Sequence, residues 1–251
     1  MSAGICQTIF NSSLVVTLHD GRGEASLDRS AYLTLAKVLA EAGRNDAIRS
    51  VILRGFAGCF CRGADLNEFT DPESYPGLID AVTSYFRALA DFPKPLLACV
   101  DGEATGVGCT TLFHCDMIFA SATSTFRVPF VDFGLVPDAA TSLLAPDRLG
   151  YTEAFRFFCL GQALSAERAA AIGLVSEVCA GTEEETFALA LDIARLVGRK
   201  PSGALETTRR LLRGEQRRIR NQIDREIELF RDALRDDRTI RRIKRLARMA
   251  A

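Results

Sequence analysis

The sequence predicts an α/β fold: a mixed strand and helix core over residues 1–181 and an all-helical C-terminal region over residues 182–251. Three observations predict it. Strand, strand and helix signals follow one another repeatedly up to about residue 180. Two glycine-rich loops each interrupt a short apolar run. Beyond residue 182 the strand signal stops and only helical patterns remain, as expected when helices pack onto a sheet-bearing core.

The elements follow in order. Residues 5–10 and 14–19 alternate loosely and read as two short strands around Asn11-Ser12, and Asp20-Gly21-Arg22-Gly23 reads as a turn. Asp28 suits the N-cap of a helix running to Ala42, whose Leu35, Val38 and Leu39 share a face and which Gly43 closes. Val51–Arg54 is a strand that opens into the first glycine-rich loop, Gly55 to Leu66. Residues 67–76 carry two prolines and polar residues and read as a connection. Ile79, Val82, Phe86 and Leu89 define a helix over 78–91, which Pro93 and Pro95 stop. Leu96–Val100 is a buried strand leading into the second loop, Asp101 to Cys109. A helix over 109–114, a strand over 116–120 and an extended stretch over 126–129 follow. A turn over 134–137 leads to short helices over 138–144 and 152–160. Ser165 caps a helix that Gly173 ends, and Leu174–Cys179 is a strand. Thr182 and Glu185 form a capping box for a helix to Val197. Residues 202–249 are helical, with breaks at Gly214 and Asp236.

Composition excludes several classes. Hydrophobic residues make up 48% and charged residues 25% of the 251, enough apolar surface for a sizeable soluble core. No apolar run approaches the ~18 residues of a membrane span, and the N-terminus lacks the basic and apolar regions of a signal peptide. The eight cysteines include no Cys-x-x-Cys pair and mostly sit in apolar contexts, which predicts reduced thiols and a cytoplasmic location. Only His19 and His114 could assist a zinc site and the spacing fits no common ligand set, so no metal is expected. A net charge of −1 gives no global field for nucleic acid. The Arg-rich stretch 209–248, in which acids alternate and aromatics are not interleaved, is either a solvated helical face or a contact for an anionic group or another subunit.

The two loops carry the functional signal. The first holds Gly55, Gly58 and Gly63, and the second Gly102, Gly106 and Gly108. Glycine lets backbone approach closely, so the loops are expected to face one another, each offering a backbone N–H to one oxygen.

Gly58-Cys59-Phe60-Cys61-Arg62-Gly63-Ala64-Asp65-Leu66 resembles the first loop of the enoyl-CoA hydratase/isomerase (crotonase) superfamily. Asp101 to Gly108 resembles its second loop, and Cys115-Asp116-Met117-Ile118-Phe119-Ala120 the strand that follows. Phe126 through Gly134 to Pro137 continues the similarity, as do Gly161 and Ser165 to Val175. The resemblance implies a crotonase-like spiral of ββα turns with a C-terminal helical trimerisation region, a homotrimer or dimer of trimers. It implies an acyl-CoA thioester as substrate, no separate cofactor, and an oxyanion hole made by the N–H groups of Ala64 and Val107. Family members usually have glycine at the second place; because an N–H does the work, Val107 can serve. By the same resemblance Cys61, Arg62, Gly63, Leu66, Gly106 and Phe130 bind substrate, with Arg62 reaching towards a CoA phosphate.

The reaction depends on the base. Hydratases of this superfamily use two glutamates, and the matching positions here hold Thr110 and Phe130. The Δ3,Δ2-enoyl-CoA isomerases use one carboxylate after a Gly-x-x-Pro turn, and Gly134-Leu135-Val136-Pro137-Asp138 places Asp138 there, one methylene shorter than the usual Glu. The resemblance therefore implies an isomerase that moves a double bond by a single-carboxylate proton shift. A hydratase, a thioester hydrolase, or a non-catalytic acyl-CoA-binding protein are the alternatives. From its own position Asp138 equally suits the N-cap of the helix that follows it. Asp132 is a lesser candidate base. Glu68 and Glu103 are expected to be exposed, Asp65 and Asp116 to hold loops together, and Cys109 and His114 to pack.

Overall fold

A computed structural model describes residues 5–18, 26–56, 58–71 and 75–250, with side chains to 247; the expected turn at 20–23 lies outside the described residues. The largest sheet has six strands, in the order Ile5–Phe10, Ser13–Leu18, Ser50–Arg54, Leu96–Val100, Met117–Ser121, Glu177–Cys179. Its first two strands form an antiparallel hairpin, and every later neighbour is parallel. A second sheet of four short strands runs Leu164–Ser165, Thr125–Arg127, Glu103–Thr105, Cys59–Cys61. The three central turns of the chain, beginning at Ser50, Leu96 and Met117, each give one strand to the large sheet and one to the small sheet, and then a helix. This is the ββα spiral that the resemblance implies.

The central residues of the parallel strands are mostly apolar, because both faces of the large sheet are covered. One face packs under the helices Arg29–Arg44 and Tyr75–Asp91, whose buried residues Tyr32, Leu35, Leu39, Tyr85 and Phe86 join the main core. The other face, with Val15, Ile52, Leu97 and Phe119, packs against Ala190 and Ala194 of the helix Glu183–Gly198. That helix begins at the expected capping box, complete with Thr182 and Glu185. Three more helices follow, Ser202–Arg213, Gln216–Leu234 and Asp237–Ala250.

Several boundaries differ from expectation for local reasons. The helix expected over 138–144 starts only at Thr141 and runs to Leu149, because Ala139 and Ala140 take left-handed conformations, with φ of 55° and 61°. The extended stretch at 126–129 gives way to a helical turn at Phe130–Phe133. The strand expected over 174–179 is paired only at Glu177–Cys179. Strands of two or three residues at 59–61, 63–64 and 103–105 stand where the sequence predicts loop; such segments are too short for alternation to show, and only pairing defines them.

The C-terminal helices are tied to the core by charge as well as by apolar contact. Arg209 Nε donates to both Asp116 oxygens, at 2.9 and 2.7 Å, and its Nη1 donates to Phe92 O at 2.6 Å. Asp116 Oδ2 also accepts from Leu96 N–H. Asp116 thus has the structural role expected of it. Asp65 does too, accepting from the backbone and side chain of Asn67.

Candidate active site

Pairing of the small sheet brings the two loops together. Cys59 lies opposite Glu103 and Cys61 opposite Ala104, with an irregularity between them, so the residues that follow emerge side by side. A Cβ built on Gly106 would lie 3.7 Å from Gly63 Cα, and one on Gly63 would lie 3.3 Å from Thr105 O. Backbone therefore touches backbone here. Both residues have positive φ, 105° at Gly63 and 54° at Gly106, where an L side chain is strained.

The N–H directions follow from local geometry. Gly63–Ala64 pairs in parallel with Ser26–Leu27, and Asp65 N–H donates to Leu27 O. Successive N–H groups of an extended strand point to opposite sides, so that of Ala64 turns away from the Leu27 strand. Val107 is the first residue of the helix Val107–Leu112. Cys109 and Thr110 N–H both take Gly106 O, leaving the N–H groups of Val107 and Gly108 without a carbonyl inside the helix.

Ala64 and Val107 both line a cavity of about 330 Å³. Gly63, Leu66, Gly106 and Phe130 also line it. Its apolar wall is made by Phe69, Ile79, Phe130, Phe133, Ile227 and Phe230. Arg62 stands at the rim with its side chain about half exposed, 3.9 Å from Glu103, which is exposed as expected. Cys61 corrects an expectation, because it does not line the cavity. It is fully buried behind the loop, and Gly108 is pressed so close that a Cβ there would lie 2.6 Å from Cys61 Cβ. Burial also pushes its thiol up to about 12, so it packs as a neutral group.

Asp138 lies on the cavity wall and is 7% exposed. It does not cap the following helix: the N-cap position is Ala140, and no side chain of the segment itself caps it. Its backbone carbonyl instead accepts from Thr141 N–H and Oγ1. The left-handed pair after it turns the chain abruptly, and the Asp138 carboxyl is left facing the cavity. Its Oδ1 and the nearby Thr110 Oγ1 are both buried, and among the described residues neither makes a hydrogen bond of normal geometry, although the Thr110 hydroxyl lies close enough to stabilise the carboxylate. Desolvation is the main reason why the Asp138 pKa is pushed up to about 7; Thr110 offsets part of this and Glu226 adds to it. A carboxylic acid so placed exchanges its proton near neutral pH, the range that suits a general base. Asp132 is exposed and paired with Arg127 at 3.2 Å, on the outside of its turn. Glu68 is only half-buried and accepts from Arg29 N–H.

One residue at the site was not anticipated. Glu226, from the helix Gln216–Leu234, is 2% exposed and accepts from Ala140 N–H at 2.6 Å, from Ser142 N–H at 3.0 Å and from Ser142 Oγ. It caps the helix Thr141–Leu149 from outside. The signal was present in the sequence. Ile219, Ile223, Ile227, Phe230 and Leu234 form the buried stripe of that helix, and Glu226 sits within it. A carboxylate on an apolar stripe needs a partner. Tyr32 also went unremarked; it lines the cavity, and burial raises its pKa well above that of an ordinary phenol. His114 packs as expected, fully buried, with Nε2 2.8 Å from Ala139 O.

Comparison with known proteins agrees with this geometry. The family model described as "Enoyl-CoA hydratase/isomerase" matches residues 8–244. The 1,2-epoxyphenylacetyl-CoA isomerase of Escherichia coli (strain K12) is 32% identical over 227 residues, 87% of this chain and 84% of the relative. The 2,3-dehydroadipyl-CoA hydratase of the same organism is 29% identical over 203 residues, 81% of this chain and 79% of the relative. The crystal structure of an enoyl-CoA hydratase/isomerase from Pseudoalteromonas atlantica T6c superposes with a TM-score of 0.89 at 31% identity, covering 98% of each chain. With its two facing loops at the mouth of an apolar cavity and its spiral of ββα turns, this chain has the crotonase fold and belongs to the enoyl-CoA hydratase/isomerase family of acyl-CoA-processing enzymes.

Proposed function

We propose that the protein is a Δ3,Δ2-enoyl-CoA isomerase, with Asp138 as the single proton shuttle. The observation that carries this reading is a buried carboxylate, its Oδ1 without a hydrogen-bond partner among the described residues, on the wall of the apolar cavity that Ala64 and Val107 also line. The thioester carbonyl of a 3-enoyl-CoA accepts from Ala64 and Val107 N–H. Asp138 removes a proton from C2, and the electron pair spreads over the carbonyl oxygen and C4 as a dienolate. The same carboxylic acid returns its proton to C4, leaving the double bond between C2 and C3. Each fixed donor aimed at the developing oxyanion contributes about 3 kcal/mol. No atom is gained or lost, so one carboxylate suffices and no cofactor enters.

Hydration requires a second carboxylate to orient and split water. Thr110 and Phe130 hold the two matching positions, and Phe130 fills its place on the wall with a ring. The side chain of Arg62 at the rim lies in a surface ion pair of little energetic weight and is available to a CoA phosphate. We further infer a cytoplasmic homotrimer or dimer of trimers. Leu211 and Leu212, 76% and 83% exposed on the helix Ser202–Arg213, are the apolar side chains best placed for a subunit contact. Light scattering on the purified chain measures the assembly.

The test of activity is direct. The purified enzyme is mixed with 3-enoyl-CoA thioesters of short to long chain, and conjugation is followed by ultraviolet absorbance, with product mass checked. The expected result is 2-enoyl-CoA of unchanged mass, lost in Asp138→Asn. A product heavier by one water, tight acyl-CoA binding without turnover, or an unimpaired Asp138→Asn enzyme overturns the assignment.

A further inference from the structure

The turn that aims Asp138 is held from a distant part of the chain. Ala139 and Ala140 both have positive φ, and neither is glycine, so the turn persists only because its surroundings fix it. Four groups do so. His114 Nε2 lies 2.8 Å from Ala139 O, and Thr141 Oγ1 donates to Asp138 O. Glu226 takes Ala140 N–H on one oxygen and Ser142 N–H on the other, spanning the left-handed residue and the start of the helix. Gln222, one helical turn before Glu226, donates to Ser142 Oγ at 2.7 Å.

Charge adds a second role. The titratable groups that act on Asp138 are Tyr32, Cys109 and Glu226, and His114 packs against the turn that follows it. Tyr32 and Cys109 are kept protonated by burial. His114 is held down to about 3, chiefly by burial and next by the nearby Arg213, and stays neutral. Glu226 is the group among them that changes charge near neutrality, and it raises the proton affinity of Asp138. Burial pushes both acids up to about 7, and three donors bind the Glu226 carboxylate.

We propose that Glu226 is the positioning residue of the proton shuttle: its carboxylate, supplied by the C-terminal helix Gln216–Leu234, fixes the left-handed turn that turns Asp138 into the cavity and sets a second buried carboxylate against the residues that follow it. The proposal rests on the reading of Asp138 as the shuttle. It explains a carboxylate placed within an apolar stripe: a carboxylate offers two acceptor oxygens, one to Ala140 N–H and one to Ser142 N–H.

Glu226→Gln removes the charge and replaces one acceptor with a donor that cannot receive an N–H. In the isomerisation assay kcat is expected to fall by about tenfold or more, with KM changed far less. The midpoint of the pH profile of kcat/KM is expected to move down by about half a unit or more. Glu226→Asp keeps the charge but withdraws it by about 1.5 Å, so kcat falls while the midpoint stays near that of the wild type. This second variant carries the test if the first does not fold. A readout without turnover separates this proposal from the assignment of activity. The difference in thermal midpoint between wild type and Asp138→Asn, followed against pH, reports Asp138 ionisation, and in the Glu226→Gln background it shifts to lower pH. Unchanged kcat in both variants, or an Asp138 midpoint unmoved by Glu226→Gln in both readouts, overturns the proposal. If no 3-enoyl-CoA is converted by the wild type, only the isomerase reading fails, and the stability readout still decides the role of Glu226.

Discussion

Asp138→Asn is predicted to stabilise the protein at neutral pH while abolishing turnover, and the stabilisation is predicted to depend on pH. Burial moves the Asp138 carboxyl from its ordinary 3.8 to about 7. At about 1.4 kcal/mol per pH unit, the ionised form costs the folded state about 4 kcal/mol. The folded state therefore holds a proton that the unfolded chain has released between about pH 4 and pH 7, and stability falls as pH rises through that window. Below it both states are protonated and no penalty applies; above it the full penalty persists. Asparagine occupies the same space without ionising. The two proteins should thus melt together near pH 4 and separate by up to about 4 kcal/mol by pH 8. For a chain of this size each kcal/mol shifts the midpoint by about 2–4 °C, so the separation is about 8–16 °C. Glu226 titrates in both proteins and largely cancels in the difference. The assay is thermal unfolding followed by circular dichroism at fixed protein concentration, from pH 4 to pH 8. A separation that does not grow with pH, or an asparagine variant less stable at pH 8, refutes the reasoning.

Three further predictions follow from the same geometry. The rate constant kcat/KM for isomerisation should rise with pH through a midpoint near 7, because Asp138 must lose its proton to act as base and shares titration with Glu226; a flat profile from pH 5 to pH 8 contradicts the assignment. Gly106→Ala has room for its methyl group, with nothing nearer than 3.7 Å, but not a permitted backbone at φ 54° and ψ −122°. It should displace Val107 N–H and lower kcat by about 100-fold or more, and steady-state kinetics showing a change only in KM would exclude this. Arg209→Ala removes a buried guanidinium that holds the Asp116 carboxylate, itself 27% exposed, and the carbonyl of Phe92. It should cost about 3 kcal/mol in denaturant unfolding; a loss below about 1 kcal/mol would place the pair with ordinary surface bridges.

Much of the fold was legible because its signals are local. The capping box at Thr182 and Glu185, the Asp28 cap and the apolar run Leu96–Val100 depend only on neighbours in the chain, and each is found in place. The facing of the two loops was legible from their glycines, which remove the atoms that would keep backbones apart. The start of the helix after Asp138 was not. A Pro-Asp-Ala-Ala sequence favours a cap and a helix, and only contacts with Glu226 and His114, which lie 86 residues after and 25 residues before their partners Ala140 and Ala139, impose two left-handed alanines instead. Cys61 does not line the cavity because Gly108, 47 residues further along the chain, packs directly against its side chain and closes it off behind the loop.

The sequence by itself determined the kind of chemistry available: two glycine-rich loops able to present backbone donors, one carboxylate after the Gly-x-x-Pro turn, and no glutamate at the two positions that would split water. These are matters of which residue stands where. Only the tertiary structure decided that Asp138 faces a cavity rather than capping a helix, and that its proton is exchangeable near neutrality. The reason is physical: a carboxylate's orientation and proton affinity depend on desolvation and on partners brought from elsewhere in the chain, and the spiral supplies both when the helix Gln216–Leu234 delivers Glu226 to the turn.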